Sequence, residues 1–202
     1  MNQYFNDNQS LNKDFYKKAV EYDFNGFKFM FKTHAGVFSK DHVDFATDIL
    51  LNAIPPLSGS LLDLGCGYGV IGIVLSKVYG LSLTAADVNP AAVELTRLNC
   101  ELNGVKADII ESDCFDKLST VKCQSSIVLN PPIHAGKAVT YKMYEQSADY
   151  LSPGGCLYIV TLKKHGAEST FAKLQEVYAG NARVIYKKKG IWVVESQKSV
   201  PV

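Results

Sequence analysis

Short apolar runs and stretches with helically spaced apolar residues alternate over most of the chain. The short runs are typical of buried strands, and the other stretches carry apolar residues every three or four positions. This pattern predicts strands at 61–64, 81–86, 107–111, 127–129 and 156–162, and helices at 70–78, 90–102, 137–151 and around 171–177. Strands that alternate with helices predict a mostly parallel sheet covered by helices, which is the α/β class.

The pattern changes at both ends of this alternating region. Near the start, the extended runs 19–24 and 27–32 are joined by Asn25-Gly26, which suits a type I′ turn because both turn positions need a positive φ. Near the end, the runs 183–186 and 191–195 flank a short turn that contains glycine. We therefore predict two β-hairpins. The second adds antiparallel strands and completes a seven-stranded, mostly parallel sheet.

Three further features concern the packing around this sheet. The phenylalanines within 27–31 share one face, so the first hairpin either covers the core or lies over a ligand. A helix is predicted from about 41 to 52, with Ser39 or Asp41 as its cap. In the helix that begins near Pro90, the predicted buried stripe consists of Ala91, Leu95, Leu98 and Leu102.

Composition and charge exclude several classes of protein. Hydrophobic residues make up 47% of the 202 residues, which is typical of a folded chain and not of a disordered one. The net charge is only +1, so a nucleic-acid partner is indicated at most by the local runs Lys163-Lys164 and Lys187-Lys188-Lys189, and such runs are commonly just solvated. No apolar run approaches the roughly 20 residues of a membrane span, and the polar start does not resemble a signal peptide. We expect a cytoplasmic protein without a membrane partner.

The cysteines and histidines do not predict a metal site. The five cysteines are scattered and contain no C-x-x-C pair, which favours reduced thiols over disulfides or zinc. His42 and His165 have no partners at metal-ligand spacing, and His34 is also expected at the surface. We therefore predict that the protein uses no metal.

Candidate chemistry begins at the glycine-rich turn after the first predicted core strand. Gly65 and Gly67 lack a Cβ, so a ligand can lie directly on the backbone, next to the unpaired N–H groups at the start of a helix. Residues 67–72 fit the dinucleotide pattern G-x-G-x-x-G, with Asp87 at the spacing of a ribose-binding acid. Residues 63–69 equally fit the first motif of S-adenosylmethionine-dependent methyltransferases. The glycines alone leave both cofactors open.

A second motif, Asn130-Pro131-Pro132, follows the fourth predicted core strand. Ligands of open α/β sheets bind outside the carboxyl ends of strands, so Asn130 is expected beside the glycine turn. The motif resembles the N-P-P sequence of methyltransferases that act on amino or amide nitrogens. Together with residues 36–40, the glycine motif and residues 130–137, it resembles the ribosomal small-subunit RNA guanine-N2 methyltransferases and their single-domain relatives. The likeness covers roughly residues 19 to 198.

This resemblance implies a cofactor, a fold and a reaction. The cofactor is S-adenosylmethionine, and the fold is a single Rossmann-like methyltransferase domain over 1–202, with 19–40 as hairpin and cofactor-covering segment and 41–202 as core. The expected acceptor is the exocyclic amine of guanine in ribosomal RNA, free or in the small subunit. The Asn130 side-chain oxygen and the Pro131 carbonyl would accept the two N–H bonds of that amine, and Pro132 completes the catalytic motif.

The family pattern also assigns contacts to individual residues. Asp63 would lie near the methionine amino group, Asp87 would hold the ribose hydroxyls, and Asp113 would meet the adenine amine. The complete expected cofactor set is Asp63, Gly65, Cys66, Gly67, Asp87, Val88, Asp113, Cys114 and Asn130, with Val88 and Cys114 near the adenine ring. The expected substrate set is Phe38, Ile133, His134 and Lys137.

Two departures leave the substrate open. Ile133 stands where the family often has an aromatic residue that stacks on a base, and the better-known RNA enzymes carry a second, N-terminal domain without a counterpart in this pattern. One alternative is N-methylation of a protein amide or a small-molecule amine. Another, from a different class, is a nicotinamide-dependent oxidoreductase or a non-catalytic nucleotide-binding module.

Overall fold

A computed structural model describes residues 18–34, 41–121, 123–132 and 136–201. The expectations for residues 36–40, including Phe38 and Ser39, and those for Ile133 and His134 lie outside this described part. The helices and strands are β1 (Lys18–Phe24), β2 (Phe27–Thr33), α1 (Phe45–Ala53), β3 (Ser60–Leu64), α2 (Val70–Tyr79), β4 (Ser82–Asp87), α3 (Pro90–Asn103), β5 (Ala107–Glu111), β6 (Gln124–Leu129), α4 (Gly136–Tyr150), β7 (Leu151–Leu162), a 3-10 helix (Lys163–His165), α5 (Ala167–Val177), β8 (Ala182–Lys188) and β9 (Ile191–Gln197).

The central sheet has seven strands in the order β5-β4-β3-β6-β7-β9-β8. Strands β3 to β7 pair in parallel, whereas β9 pairs antiparallel with both β7 and β8. This confirms the predicted mostly parallel sheet with an antiparallel C-terminal hairpin. The chain moves outward from β3 to β5 and then returns to the other side of β3, so the topological switch point lies between β3 and β6. Ligands of open α/β sheets bind at such a point.

Alternate residues of the central strands contribute to two apolar layers, one on each side of the sheet. Leu61 and Val128 pack with α1, α2, α3 and the N-terminal hairpin. Leu62 and Ile127 pack with α4 and α5. Both faces are covered, which explains why the predicted core strands are almost continuously apolar instead of alternating with polar residues.

Strand β7 begins earlier than the sequence pattern predicts. It includes the Pro153-Gly154-Gly155 segment, because Leu151 already pairs with Gln124 before a register shift in β6. A Cβ on Gly155 would lie 2.8 Å from the carbonyl oxygen of Gln124. The glycine therefore marks a close approach between two strands, just before the strand that the sequence predicted from residue 156.

The N-terminal hairpin forms a separate two-stranded sheet and packs mainly on α3. Phe29 and Phe31 are buried, whereas Phe27 is 40% exposed. The predicted buried stripe of α3 is wrong in part: Leu95 is buried, but Leu102 is 42% exposed, and Ala91 and Leu98 are only half-buried. The buried residues of α3 are instead Ala92, Val93, Leu95, Thr96, Asn99, Cys100 and Asn103.

Two buried asparagines of α3 explain this correction. The backbone N–H of Lys32 donates to Asn99 Oδ1 (2.7 Å), and Asn99 Nδ2 donates to the Lys32 carbonyl (3.0 Å). Asn103 bonds the N–H and carbonyl of Met30 in the same way, at 3.1 and 2.8 Å. The outer edge of β2 is thus satisfied by side-chain amides instead of by another strand.

Candidate functional site

Four neighbouring strands end at one edge of the sheet, and the predicted cofactor residues lie just beyond them. The glycine turn follows β3, Asp87 ends β4, Asp113 follows β5 and Asn130 follows β6. Because these strands are parallel and adjacent in the order β5-β4-β3-β6, their carboxyl ends share this edge. The structure therefore brings the four predicted segments together.

Backbone N–H groups attach the glycine turn to β4. The N–H groups of Gly65 and Cys66 donate to the Ala86 carbonyl at 2.8 and 3.0 Å. The N–H of Gly67 donates to Asp87 Oδ2 at 2.8 Å. The main-chain path of the turn is thus held by the neighbouring strand and by the acid that ends it.

Helix α3 holds the carbonyl groups of the same turn. The Thr96 hydroxyl donates to the Gly67 carbonyl at 3.0 Å, and Asn99 Nδ2 donates to the Tyr68 carbonyl at 2.8 Å. Asn99 is the residue that also holds Lys32 of the hairpin. One buried side chain therefore joins the N-terminal hairpin to the glycine turn.

The glycines of the turn divide into two pairs with different surroundings. Gly65 and Gly67 have φ of 71° and 59°, and a Cβ on either would come no closer than 3.9 Å to any described atom outside its chain neighbours. A Cβ on Gly69 or Gly72 would instead lie 2.9 or 2.8 Å from a neighbouring side chain. The first pair faces open space that a ligand can fill, whereas the second pair allows close packing inside the protein.

Asp63 lies beneath this turn and is buried. Its Oδ2 accepts a hydrogen bond from the Gly72 N–H at 2.8 Å, which attaches β3 to the first turn of α2. Its Oδ1 is also buried, without a hydrogen-bond donor in the described part of the protein. Burial raises the pKa of Asp63 to about 7, the hydrogen bond from Gly72 opposes this, and the negative charge of Asp87 adds to it. A nearby cation would favour the ionised form.

Asp87 already binds two backbone N–H groups and retains acceptor capacity. Its Oδ2 accepts from Gly67, and its Oδ1 accepts from Asn89 at 2.9 Å. Burial raises the pKa of Asp87, and these hydrogen bonds oppose the rise. Each carboxylate oxygen can accept a further hydrogen bond, as a pair of ribose hydroxyls requires.

The turn after β5 completes the predicted cofactor edge. Asp113 is exposed, Val88 is 43% exposed, and Cys114 is buried with a φ of 47°. Burial raises the pKa of Cys114 to about 11 and raises that of Cys66 well above its ordinary value, so both thiols stay protonated. They are suited to packing and not to nucleophilic attack.

The acids at this edge discriminate between the two cofactors that the sequence left open. Asp87 suits the ribose of either cofactor, but Asp63 and Asp113 add two further acidic side chains at the edge where the open glycine backbone lies. S-adenosylmethionine carries an ammonium and a sulfonium charge, whereas a dinucleotide brings a negatively charged pyrophosphate. The donor set therefore fits S-adenosylmethionine.

The orientation of the Asn130 amide is set by the first turn of α1. Asn130 Nδ2 donates to the Thr47 hydroxyl at 3.0 Å and to Asp44 Oδ2 at 3.4 Å. Asp44 Oδ2 is itself fixed by the N–H groups of Ala46 and Thr47, both at 3.1 Å. The amide nitrogen is thereby committed to the protein, and Oδ1 has no donor among the described residues.

Asp44 and Thr47 are functional candidates that the sequence reasoning missed. The predicted cap of this helix was Ser39 or Asp41, but the helix begins at Phe45 and Asp44 is its cap. An aspartate directly before the first helically spaced residue is a usable capping signal. Its contact with Asn130 has no local signal, because 86 residues separate the two.

A cavity of about 160 Å³ opens on the other side of Asn130. It is lined by residues from the Asn130 motif, α4, β7 and α5, including Pro131, Pro132, Lys137, Tyr141 and His165. His165 is exposed, as predicted, but it also forms part of the cavity wall. Leu129, the residue before Asn130, lies beside Gly65. Asn130 therefore stands between the glycine turn and this cavity.

The described residues were also compared with the requirements of metal sites, disulfides and membrane spans. Within the described ranges, no group of three or more His, Cys, Asp or Glu residues could hold a metal ion. The five cysteines are free. No helix in the described part of the chain is long and apolar enough to cross a membrane.

Comparisons with known proteins agree with this geometry. The profile of the family "Methyltransferase small domain" matches residues 28–195. The chain is 40% identical over 174 residues to "Uncharacterized protein YbxB" of Bacillus subtilis (strain 168), covering 84% of this chain and 86% of that protein. It is 36% identical over 156 residues to "Ribosomal RNA small subunit methyltransferase C" of Aeromonas hydrophila, covering 73% of this chain and 45% of that protein.

A solved structure gives the same result. It is the T. thermophilus 16S rRNA N2 G1207 methyltransferase (RsmC) in complex with AdoMet and guanosine, with a TM-score of 0.80 and 27% identity, covering 90% of this chain and 50% of that one. The chain thus spans about half the length of these two ribosomal RNA methyltransferases. The extent of the family match decides against the nicotinamide and non-catalytic alternatives. The chain belongs to the methyltransferase small domain family and is an S-adenosylmethionine-dependent methyltransferase.

Proposed function

We propose that this enzyme methylates the exocyclic amine of guanine in ribosomal RNA, with Asn130, Pro131 and Pro132 as its catalytic motif and residues 1–202 acting as one methyltransferase domain. The observation that carries the proposal is the fixed Asn130 amide. Its nitrogen is held by Thr47 and Asp44, and its oxygen is left to accept a hydrogen bond between the glycine turn and the cavity. An acceptor at that place suits a substrate that presents an N–H group.

The proposed chemistry requires acceptors more than a base. An exocyclic amine of a nucleobase is a poor nucleophile because its lone pair is delocalised into the ring. Asn130 Oδ1 and the Pro131 carbonyl would accept its two N–H bonds, localise the lone pair and aim it at the methyl group. The bound cofactor would supply a sulfonium methyl group, and the methylated nitrogen would afterwards release its proton to solvent, so no strong base is needed.

The cofactor contacts follow from the same edge of the sheet. We assign the ribose hydroxyls to Asp87, the adenine amine to Asp113, and the methionine ammonium to the surroundings of Asp63. Val88 and Cys114 would contact the adenine ring, and the open backbone of Gly65, Cys66 and Gly67 would lie beneath the cofactor. The open side of Gly65 and Gly67 supports this placement, because no atom of the described residues fills it.

Two considerations support RNA as the substrate. The chain shares 36% and 27% identity with two proteins named as small-subunit ribosomal RNA methyltransferases. The cavity beyond Asn130 is much larger than a single water requires and is lined by Tyr141, His165 and Lys137, which are groups able to contact a base or a phosphate. The substrate roles of Phe38, Ile133 and His134 stay predictions.

The experiment that tests this proposal compares wild type with Asn130→Ala. The substrate is ribosomal RNA, free and in subunits, from a strain that lacks the enzyme, with radiolabelled S-adenosylmethionine and mass spectrometry of the nucleosides. We expect N2-methylguanosine as product and a rate about a hundredfold lower for the variant. Cofactor affinity, measured by calorimetry, should be nearly unchanged. Asn181→Ala, an exposed position after α5 at the opposite edge of the sheet, is the matched control.

Each other outcome has a definite meaning. A normal rate for Asn130→Ala would show that the motif is only a turn. Methyl transfer to protein or to a small molecule in a crude extract, with none to RNA, would replace the proposed substrate. Thr47→Val should lower kcat less than Asn130→Ala does, because it affects only the orientation of the Asn130 amide. Thr47→Ser retains the hydroxyl and should have a kcat close to that of wild type.

A further inference from the structure

The turn between β8 and β9 lies at the catalytic edge of the sheet. Strand β9 runs antiparallel to β7 and pairs Ile191 with Leu162, so the turn stands beside the carboxyl end of β7. The Lys163 N–H donates to the Gly190 carbonyl at 2.7 Å, which joins the turn to the 3-10 helix. His165 of that helix lines the same cavity as Asn130. The two lysine runs of the sequence, 24 residues apart, are therefore neighbours next to the catalytic motif.

These runs form an exposed surface of concentrated positive charge, which we call the lysine surface. It consists of Lys163, Lys164, Lys187, Lys188 and Lys189, all of which are exposed. The chain has 21 basic and 20 acidic residues, so without these five lysines 16 basic residues would face 20 acidic ones. The near-neutral net charge conceals a positive catalytic edge on an otherwise acidic protein.

Local acids neutralise little of this charge. Lys163 lies 3.9 Å from Glu168, but both side chains are more than 60% exposed, so the pair is strongly screened by water. Lys187 lies 3.9 Å above the Trp192 ring, which positions its ammonium group without removing the charge. The surface thus keeps most of its charge available to a partner.

An exposed aromatic ring borders the lysine surface. Phe45 is 56% exposed at the start of α1, and it lines a groove together with Tyr186, Lys188 and Lys189. The preceding residue, Asp44, contacts Asn130. A large apolar side chain held in water between the catalytic amide and the lysines contributes nothing evident to the core.

The backbone conformation of the β8–β9 turn also suggests a functional role for this region. Lys189 has a φ of 50° and Gly190 a φ of 77°, so both central positions of this two-residue turn are left-handed, as in a type I′ turn. The N-terminal hairpin uses Asn25 and Gly26 for the same geometry, at φ of 48° and 80°. Lysine is a poor choice for that position, whereas asparagine is a good one. An unfavourable residue in such a turn beside the proposed catalytic motif points to a role in function.

We propose that the lysine surface binds the phosphates of single-stranded RNA beside the target nucleotide, and that Phe45 stacks on one of its bases. This inference rests on the proposed function and adds the route of the RNA across the protein. Phosphate contacts from lysines combined with an aromatic platform are the usual means of holding an unpaired RNA strand. The cavity next to Asn130 would then receive the base to be methylated, while the flanking strand lies over the β8–β9 turn.

The test separates charge, stacking and fold. The probe is a fluorescent single-stranded RNA of about 16 nucleotides, and the affinity is measured by anisotropy from 50 to 200 mM salt. Lys188→Gln/Lys189→Asn should reduce the slope of log affinity against log salt by about 1.4, since each phosphate contact on a single strand contributes about 0.7. Phe45→Ala should weaken binding about fivefold or more with an unchanged slope.

The matched control removes the same charge elsewhere. Lys28 and Lys106 are exposed, and both lie away from the catalytic edge. Lys106 precedes β5, and Lys28 lies near the start of β2, which runs along α3 towards that edge. Lys28→Gln/Lys106→Gln should keep the wild-type slope. Because asparagine suits the left-handed position, Lys189→Asn should unfold at the same or a higher urea concentration than wild type. The urea midpoint of Lys188→Gln/Lys189→Asn, compared with that of wild type, therefore separates a loss of charge from a loss of structure.

The outcomes distinguish this inference from the proposed function. If wild type methylates ribosomal RNA but Lys188→Gln/Lys189→Asn keeps the full salt slope, the RNA route is wrong and the function stands. If wild type methylates no RNA, the function fails whatever the slopes are. Equal affinity for polyglutamate and for the RNA probe would overturn the assignment of RNA as partner.

Discussion

The two β-hairpins have nearly the same turn and are held in opposite ways. Both turns have two central residues with positive φ, Asn25-Gly26 in the first and Lys189-Gly190 in the second. The C-terminal hairpin extends the central sheet, because β9 pairs with β7 over seven residue pairs. The N-terminal hairpin pairs with no strand of that sheet and is held on the helical layer by side chains.

This difference implies that the two hairpins differ in how firmly they are positioned. Backbone pairing to β7 places the β8–β9 turn rigidly at the catalytic edge, where lysines occupy it. The N-terminal hairpin is held by buried apolar side chains such as Phe31 and by a few polar ones, one of which also holds the glycine turn. Local changes should therefore affect the first hairpin more than the second, and some should reach the cofactor site.

The largest effect is expected from Asn99→Ala. Removing this buried amide deletes its hydrogen bonds to the N–H and carbonyl of Lys32 and to the carbonyl of Tyr68. We expect the free energy of unfolding to fall by about 3 kcal/mol or more, at about 1–3 kcal/mol for each of the three groups. Urea unfolding measures the loss.

Asn103→Ala sharpens this result. Asn103 holds Met30 of the same hairpin but has no bond to the glycine turn. Both variants should destabilise the protein, but only Asn99→Ala should also weaken S-adenosylmethionine binding in calorimetry. Equal cofactor affinities in the two variants would show that hairpin and glycine turn are independent.

The next effect concerns Asp63, which supports the glycine turn without contacting either hairpin. Its pKa is about 7 in the folded protein against an ordinary 3.8, so the folded state holds a proton that the unfolded chain releases. Its contribution to stability is therefore complete below about pH 4 and is lost as the pH rises through 7. Between pH 5 and pH 7, the free energy of unfolding of wild type should fall by about 1.4 kcal/mol per pH unit because of this group, and Asp63→Asn should remove that fall.

Urea unfolding at several pH values measures this difference. Asp108→Asn, at an exposed position of β5, should keep the wild-type pH profile. An unchanged profile in Asp63→Asn would mean that Asp63 is already ionised in the folded protein. In that case the pH dependence of stability would not report how much Asp63 stabilises the glycine turn.

A smaller effect is expected from Tyr22→Phe. The Tyr22 hydroxyl donates to Asp48 Oδ1 at 2.8 Å and connects β1 to α1. Burial, followed by this hydrogen bond, raises the pKa of Tyr22 well above its ordinary value. We expect a loss of about 1 kcal/mol in thermal or urea unfolding.

Tyr186→Phe on the other hairpin is the control. Tyr186 is half-buried in β8, and no hydrogen bond of its hydroxyl is recorded within the described ranges. Its removal should change stability by only a few tenths of a kcal/mol. Similar losses in the two variants would contradict the view that only the first hairpin is held by single polar contacts.

The smallest effect tests the two turns directly. Exchanging the residues, as Asn25→Lys in one variant and Lys189→Asn in another, should change stability by about 1 kcal/mol or less in opposite directions. Asn25→Lys should destabilise and Lys189→Asn should stabilise, and the double variant should resemble wild type. Destabilisation by Lys189→Asn would show that the lysine makes a structural contact, and its left-handed backbone would then not indicate a role in RNA binding.

Much of the fold could be predicted because its determinants are local. The apolar runs mark strands that are buried on both faces, and the dipeptide Asn25-Gly26 marks a turn whose φ values few other residues adopt. The glycine turn and Asn130 were placed at one edge by the rule that parallel strands end together. These predictions require only the local sequence and the order of the strands.

The parts that could not be predicted depend on contacts distant in sequence. The stripe of α3 was misassigned because its partner is the polar backbone of β2, which selects asparagines over leucines. The orientation of Asn130 depends on Thr47, 83 residues away. The exposure of Phe45 depends on the tertiary packing around the start of α1. No local pattern carries this information.

The pairing of Asn99 with β2 also has a consequence for hydrogen exchange. An amide on the open edge of a two-stranded sheet would normally exchange quickly with solvent deuterium, but the Lys32 N–H is bonded to a carboxamide that is fully buried. Its exchange therefore requires the hairpin to separate from α3 and not merely to fray. Since Asn99 also binds the Tyr68 carbonyl, cofactor binding at the glycine turn should slow exchange at Lys32, a site that we place outside the cofactor contacts.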